Sequence, residues 1–135
     1  MSEWISGGRA LQSMQQFGTK VWLYFNEAGF LVGFGSLGTT RRNWPPPNGD
    51  FQELGILPAL AIQTDFQSGP KNDPPKFSDQ IMNDLIYKAR RLGPPILMLD
   101  VHKDNHPAIR LYERFDFQST GYERDSYVRM SIRFW

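Results

Sequence analysis

Residues 99–117, LDVHKDNHPAIRLYERFDF, join a strand-like run to a polar turn and then to an amphipathic segment. Leu99 and Val101 end an apolar run that begins at Ile96, and Asp104 and Asn105 make the turn. Pro107 falls in the first turn of the helix expected over 106–115, where a missing N–H is harmless. Ala108, Leu111, Tyr112 and Phe115 share the inner face of that helix. Taken singly, Asn105 reads as a helix cap and Tyr112 as a core tyrosine with its hydroxyl satisfied. His102 and His106 with Asp100 and Asp104 look superficially like metal ligands, but they straddle the strand-to-helix turn, and no metal site is expected.

Working back from this stretch, Gly93-Pro94-Pro95 stops a helix that Ser78 is placed to cap and that runs to about Leu92. Ile81, Met82, Leu85, Ile86 and Ala89 make its apolar stripe, and Lys88, Arg90 and Arg91 suit its C-terminal end. Before it lies ELGILPALAIQTDF, residues 53–66, dense enough in apolar side chains for a central strand with both faces covered. Strand, helix and the 96–101 strand then form a crossover unit whose two strands are parallel. Pro58 is the anomaly: it has no N–H for a ladder, so a bulge or a local opening of the sheet is expected there. An opened sheet offers backbone groups to a ligand that imitates a strand, as a pantetheine arm with two amides can. The loop QSGPKNDPPK, 67–76, could hold a pyrophosphate with its backbone amides and Lys71 and Lys76, or simply be solvated.

Further out, KVWLYF and FLVGFGSL read as an antiparallel hairpin turned at residues 26–29, Asn-Glu-Ala-Gly. TTRRNWPPPNGD, 39–50, reads as a projecting loop because of its prolines and Asn48-Gly49. Residues 1–19 are compatible with a short helix around 10–17 or with loose chain. At the other end, YERDSYVRMSIRFW reads as one terminal antiparallel strand, with Val128, Met130, Ile132 and Phe134 on one face and Arg129, Ser131 and Arg133 on the other. Tyr127 and Trp135 on the less apolar face of this strand either cover the domain's own core or, since an edge strand invites pairing, serve a homodimer.

Composition sets the limits. At 135 residues one domain over 1–135 is the economical reading. Fifteen Lys and Arg against fourteen Asp and Glu leave a charge of +1, which recommends neither a nucleic acid nor a membrane surface. Ten Phe, five Tyr and four Trp supply enough buried surface for a folded globule. With no cysteine there is no disulfide and no thiolate nucleophile, and no apolar run reaches membrane-spanning length, so a cytoplasmic location is expected.

Together, from about Lys20 onward, these segments resemble the GNAT superfamily of N-acetyltransferases. VHKDNHPAIRLYERFDF is similar to that family's strand-to-helix segment, VGFGSL looks like its preceding hairpin strand, and Leu60-Ala61-Ile62 resembles the run before its phosphate loop. The resemblance implies a mixed α/β fold with a mostly antiparallel sheet, a central parallel pair that splays apart, and two to four flanking helices. It implies acetyl-CoA as co-substrate, lying between the 57–62 and 96–101 strands. Leu60, Ala61 and Ile62 would meet pantetheine, while Gln67, Ser68, Gly69 and Lys71, with Ser78 at the helix entrance, would face the pyrophosphate. Asn105 would contact the cofactor arm. Tyr112 would give a proton to the departing thiolate, which a phenol with a pKa near 10 can do at neutral pH.

Glu53 is the expected base for an amine acceptor, on a small molecule or a protein. Three departures from the family pattern stand out: the residues NDPPK inserted after the phosphate loop, Asp116 where a Gly is usual, and only about twenty residues before the first strand. The last suggests an acceptor side that is reduced or completed by a second copy. The rival reading is a non-catalytic acyl-CoA-binding or regulatory module on the same scaffold.

Overall fold

A computed structural model describes residues 19–62 and 77–135. Its strands are β1 (Lys20–Phe25), β2 (Leu31–Trp44), β3 (Asp50–Ile56), β4 (Leu60–Ile62), β5 (Ile96–His102), β6 (Gln118–Arg124) and β7 (Tyr127–Arg133). Two helices are described, α1 (Phe77–Arg90) and α2 (His106–Arg114). The sheet runs β1-β2-β3-β5-β7-β6, with β4 beside β2, and its β3–β5 pair is parallel. This is the mixed, mostly antiparallel sheet that the sequence implied. The short helix or loose chain around residues 10–17 lies outside the described residues.

The β1–β2 hairpin turns where expected, with Gly29 at φ +88° and the Asn26 side chain accepting from Phe30 N–H. β2 is longer than the sequence suggested. Residues 39–44, expected in a loop, continue as strand because β3 pairs with them from Gly38↔Ile56 to Trp44↔Asp50, and only residues 45–49 turn. Pro45 to Pro47 thus end the strand without preventing the six residues before them from pairing.

The long apolar stretch is divided in two. Between Gly38↔Ile56 and Gly35↔Leu60, residues 57–59 stand opposite only Ser36 and Leu37 of β2, which is a β-bulge centred on Pro58. Leu57 N–H still donates to Met98 of β5, whereas the Ala59 carbonyl has turned to accept from Ser36 N–H of β2. β3 and β4 therefore follow one another along β2, while the parallel ladder with β5 ends at Met98. Among the described residues no ladder joins β4 to β5.

Both helices pack on one face of the sheet. Ile81, Met82, Leu85 and Ala89 of α1 and Leu111 and Tyr112 of α2 share a core with Leu37, Leu97, Leu99, Val101 and Met130. α1 can come close because Gly33 and Gly35 have no side chains: a Cβ at Gly33 would lie 2.9 Å from Ile81, and one at Gly35 would lie 2.5 Å from Leu85. The opposite face carries a smaller cluster of Trp44, Leu54, Ile56, Ile96 and Met98.

The C-terminal expectation is corrected. β7 is an interior strand between β5 and β6, and β6 is the outer one. A turn at Asp125 and Ser126, with φ of +53° and +72°, folds what had read as one strand into a hairpin. Val128, Met130, Ile132 and Phe134 do face the core, as the alternation implied. Because β7 has neighbours on both sides, the argument for a homodimer from an exposed last strand falls.

Candidate functional site

The site begins where β3 and β5 part. Beyond Met98, residues 99–102 pair with β7 alone, so the backbone edge of β5 that faced β3 has no strand against it. A cleft of about 480 Å³ opens at this point, with Ile56, Leu57 and Pro58 on one side and Met98, Leu99 and Asp100 on the other. That volume falls in the range usual for small-molecule sites. The rim is polar and aromatic: Arg42, Tyr122, Arg124, Asp125, Tyr127 and Arg129.

Strand alternation decides which side chains reach this cleft. Ile96, Met98 and Asp100 point to the face opposite the helices, whereas Leu97, Leu99 and Val101 point to the helix core. Asp100 stands opposite Arg129 in the β5–β7 register and accepts from its Nε at 2.8 Å and its Nη2 at 3.1 Å. The hydrogen bond to Asp100 raises the Arg129 pKa, against the opposing effect of burial. The Arg129 guanidinium also lies 4.9 Å from the Tyr122 ring. Arg42, half-buried, donates from Nη1 to the Thr40 hydroxyl at 2.9 Å and to the Arg41 carbonyl at 3.2 Å.

Tyr112 lies on the other side of the sheet. It is 8% exposed, and it shares the helix-face core with Leu57, Leu99 and Val101 from the two parting strands. Burial pushes its phenol up to about 12. Its place is fixed by the end of α2: Phe117 N–H donates to the Tyr112 carbonyl and Asp116 N–H to that of Glu113, the Schellman arrangement, with the Phe117 ring 5.8 Å from the Tyr112 ring. Asn105 caps α2, its Oδ1 accepting from Ala108 N–H at 3.3 Å. His102 accepts Asp104 N–H on Nδ1.

Ser78 sits in the first turn of α1 rather than before it. It is 4% exposed, and its hydroxyl has no hydrogen-bond partner among the described residues. Leu60, Ala61 and Ile62 form β4 beside the bulge. Gln67, Ser68, Gly69 and Lys71 lie outside the described residues.

Glu53 is not brought to the cleft. It stands on the face of β3 opposite Leu54 and Ile56, exposed and across from Arg41. Sequence reasoning weighed Asp100 only as a metal ligand and passed over Arg42 and Arg129 as site residues. The signal for Arg129 was present in the polar face of the last strand; aligning that strand antiparallel to the 96–101 run would have placed it against Asp100.

A sheet with two parted parallel strands is backed by helices on one face and opens into a polar cleft on the other, in a mixed α/β fold. The fold is that of GNAT acetyltransferases, and residues 78–117 match the family described as acetyltransferase (GNAT). A Bacillus subtilis acetyltransferase solved in complex with CoA superposes with a TM-score of 0.67 at 16% identity, over 96% of this chain and 85% of that one. The putative acetyltransferase yncA of Salmonella typhimurium, solved with acetyl-CoA, gives 0.62 at 20% identity over 92% and 69%. The Campylobacter jejuni N-acetyltransferase PseH, in complex with acetyl-CoA, gives 0.62 at 18% over 93% and 75%. At these identities the likeness is one of fold. No curated protein matches the chain by sequence.

Proposed function

We propose that this protein is an N-acetyltransferase that takes an acetyl group from acetyl-CoA to a primary amine. The observation that carries the reading is the parting of β3 and β5 at the Pro58 bulge, with Asp100 lining the cleft and Tyr112 buried in the helix-face core that also holds Leu57 and Leu99 of the parting segments. A thioester supplies an activated acetyl carbonyl. The chain contributes binding and proton management: the freed edge of β5 and the β4 backbone at Leu60, Ala61 and Ile62 receive the amides of the pantetheine arm. The Ser78 hydroxyl and the first N–H groups of α1 receive phosphate, joined by Gln67, Ser68, Gly69 and Lys71. Asn105, which sets the start of α2, borders the arm.

The amine enters from the open face. When its nitrogen bonds to the acetyl carbon and the carbon–sulfur bond breaks, the nitrogen must lose a proton and the thiolate must gain one. Of the two carboxylates at the cleft, Asp100 is the one on a strand that parts, and it can take the first, directly or through water; it displaces Glu53 from that role because Glu53 faces the other way. Tyr112 gives the second. A phenol is already protonated at neutral pH at its ordinary pKa near 10, and burial holds that of Tyr112 higher still, so the proton is present to be donated.

The experiment is release of free thiol from acetyl-CoA with a panel of primary amines, for the native protein and for Tyr112→Phe. Loss of about a hundred- to ten-thousand-fold in kcat with little change in KM for acetyl-CoA is expected, the range ordinary for a general acid. Unchanged turnover would remove Tyr112 from the proton-donor role. Binding of acetyl-CoA with no transfer to any amine would favour the non-catalytic acyl-CoA-binding module instead.

A further inference from the structure

The cleft on the open face has an uneven distribution of charge. Three arginines and two aspartates line it. Two of these cations are already matched: Arg129 grips Asp100 with two hydrogen bonds, and Arg124 lies 3.6 Å from Asp125. Arg42 has no carboxylate partner among the described residues. Its contacts are the Thr40 hydroxyl and the Arg41 carbonyl, and both engage Nη1. The Nη2 and Nε hydrogens have no protein acceptor among the described residues, on a guanidinium that is half-buried at the edge of a cavity.

An arginine held in this way is oriented by its neighbours. Its planar fork matches an oxyanion with two parallel hydrogen bonds, a geometry that lysine cannot reproduce. One uncompensated positive charge in the lining suits one negative charge on a ligand. A monoanionic carboxylate fits that count better than a phosphate, which carries more charge than a single guanidinium balances. Ile56, Pro58 and Met98 add an apolar part to the same lining, against which the hydrocarbon spacer of a ligand can lie. Asp100 still has lone pairs to offer a second donor, because Arg129 occupies only one on each oxygen.

The geometry points to an acceptor that is itself an amino acid: a small amine carrying a carboxylate, with its nitrogen directed to Asp100 and the parted strands and its carboxylate bound by Arg42. This rests on the acetyltransferase reading for the fate of the amine, while the Arg42 subsite is defined by the cleft alone. Arg42 is thereby a specificity-determining residue, on the face of β2 opposite the one that carries Arg41.

The test pairs ω-amino acids of increasing chain length, from glycine upward, with their amides, which keep the amine and remove the negative charge. Calorimetric titration of the full chain measures each affinity, and thiol release from acetyl-CoA is followed in parallel. The expected result is that the acid of best-fitting length binds at least ten-fold more tightly than its amide. In Arg42→Gln this ratio should fall toward one, with Arg42→Lys in between because it keeps the charge and loses the fork. Equal affinity for acid and amide in the native protein would overturn the inference, as would a preference that survives in Arg42→Gln. Should Arg42→Gln fail to fold, the native ratio and that of Arg42→Lys decide the matter. Carboxylate preference without transfer to any amine would sink the acetyltransferase reading and leave the Arg42 subsite standing; transfer without carboxylate preference would sink the subsite alone.

Discussion

Asp116 shows how one side chain can be tolerated where another would be better. It ends α2 at φ +73°, in the left-handed region that favours glycine, and the Schellman hydrogen bonds on either side require that conformation. Asp reaches it more easily than most residues but still at a cost. Its carboxylate has no hydrogen bond or ion pair among the described residues to offset that cost. Asp116→Gly should therefore raise stability by about 0.5–1 kcal/mol, the gain from relieved strain less the added freedom of the unfolded chain. Thermal unfolding should show this as a rise of roughly 2–4 °C in Tm; a fall would mean that the aspartate is held by something other than its backbone. The residue types around this turn were legible because caps and helix ends have local chemistry: Asn105 could be read as a cap and Pro107 as a first-turn residue without knowledge of the rest of the fold. The side of the sheet on which Glu53 and Asp100 lie could not be read that way. It depends on which face of each strand the helices cover, which is a property of the assembled sheet.

Between elements, β1 is fastened to α1 by a compact polar group on the helix-covered face. Tyr24 donates its hydroxyl proton to Asp84 at 2.6 Å, and Lys88, one helical turn on, donates to both Asp84 oxygens while lying 5.4 Å from the Trp22 ring. Burial alone would raise the Asp84 pKa, but hydrogen bonds from Lys88 and Tyr24 and the Lys88 charge outweigh it, and the net direction is down. Burial, followed by the bond to Asp84, holds the Tyr24 phenol well above its ordinary range. For a carboxylate whose pKa is lower folded than unfolded, the stabilisation is complete above the unfolded value, near 4, and disappears as pH falls through the folded one. Stability measured by urea unfolding should thus decline as the solution is taken below about pH 4, and Asp84→Asn should flatten that decline. A variant with the same acid profile as the native protein would show that the carboxylate is not coupled to folding. The helix in this group was legible from its stripe of Ile81, Met82, Leu85 and Ala89. The outer strand β6 was not: residues 118–124, QSTGYER, lack both apolar alternation and a conventional turn pair, since the hairpin turns on Asp125 and Ser126. That strand is specified by its partner β7 more than by its own residues.

For the molecule as a whole, Pro58 is the residue whose local oddity was legible and whose consequence spans the sheet. By lengthening the strand by one residue opposite β2, the bulge turns the Ala59 carbonyl toward β2 and leaves β5 to continue beside β7 alone. The Met98 carbonyl accepts Leu57 N–H on the β3 side, so two residues further on the Asp100 N–H points the same way, into the opening, while Leu99 and Val101 face β7. This asymmetry gives the proposed ligand a specific signature. If the pantetheine arm of acetyl-CoA lies along the freed edge of β5, hydrogen exchange at the Asp100 amide should be fast in the free protein and slow when the ligand is bound. The Leu99 and Val101 amides, already bonded to β7, should be protected in both states and serve as the internal control. At a free ligand concentration of about 100 times Kd, linkage adds about 2.7 kcal/mol to stability, a rise in Tm of roughly 5–10 °C for a chain of this size. A rise in Tm with no change at Asp100 would place the ligand elsewhere on the molecule. Slower exchange at Asp100, Leu99 and Val101 together would indicate general tightening of the sheet, since a strand-like ligand in the opening can reach only the first of the three.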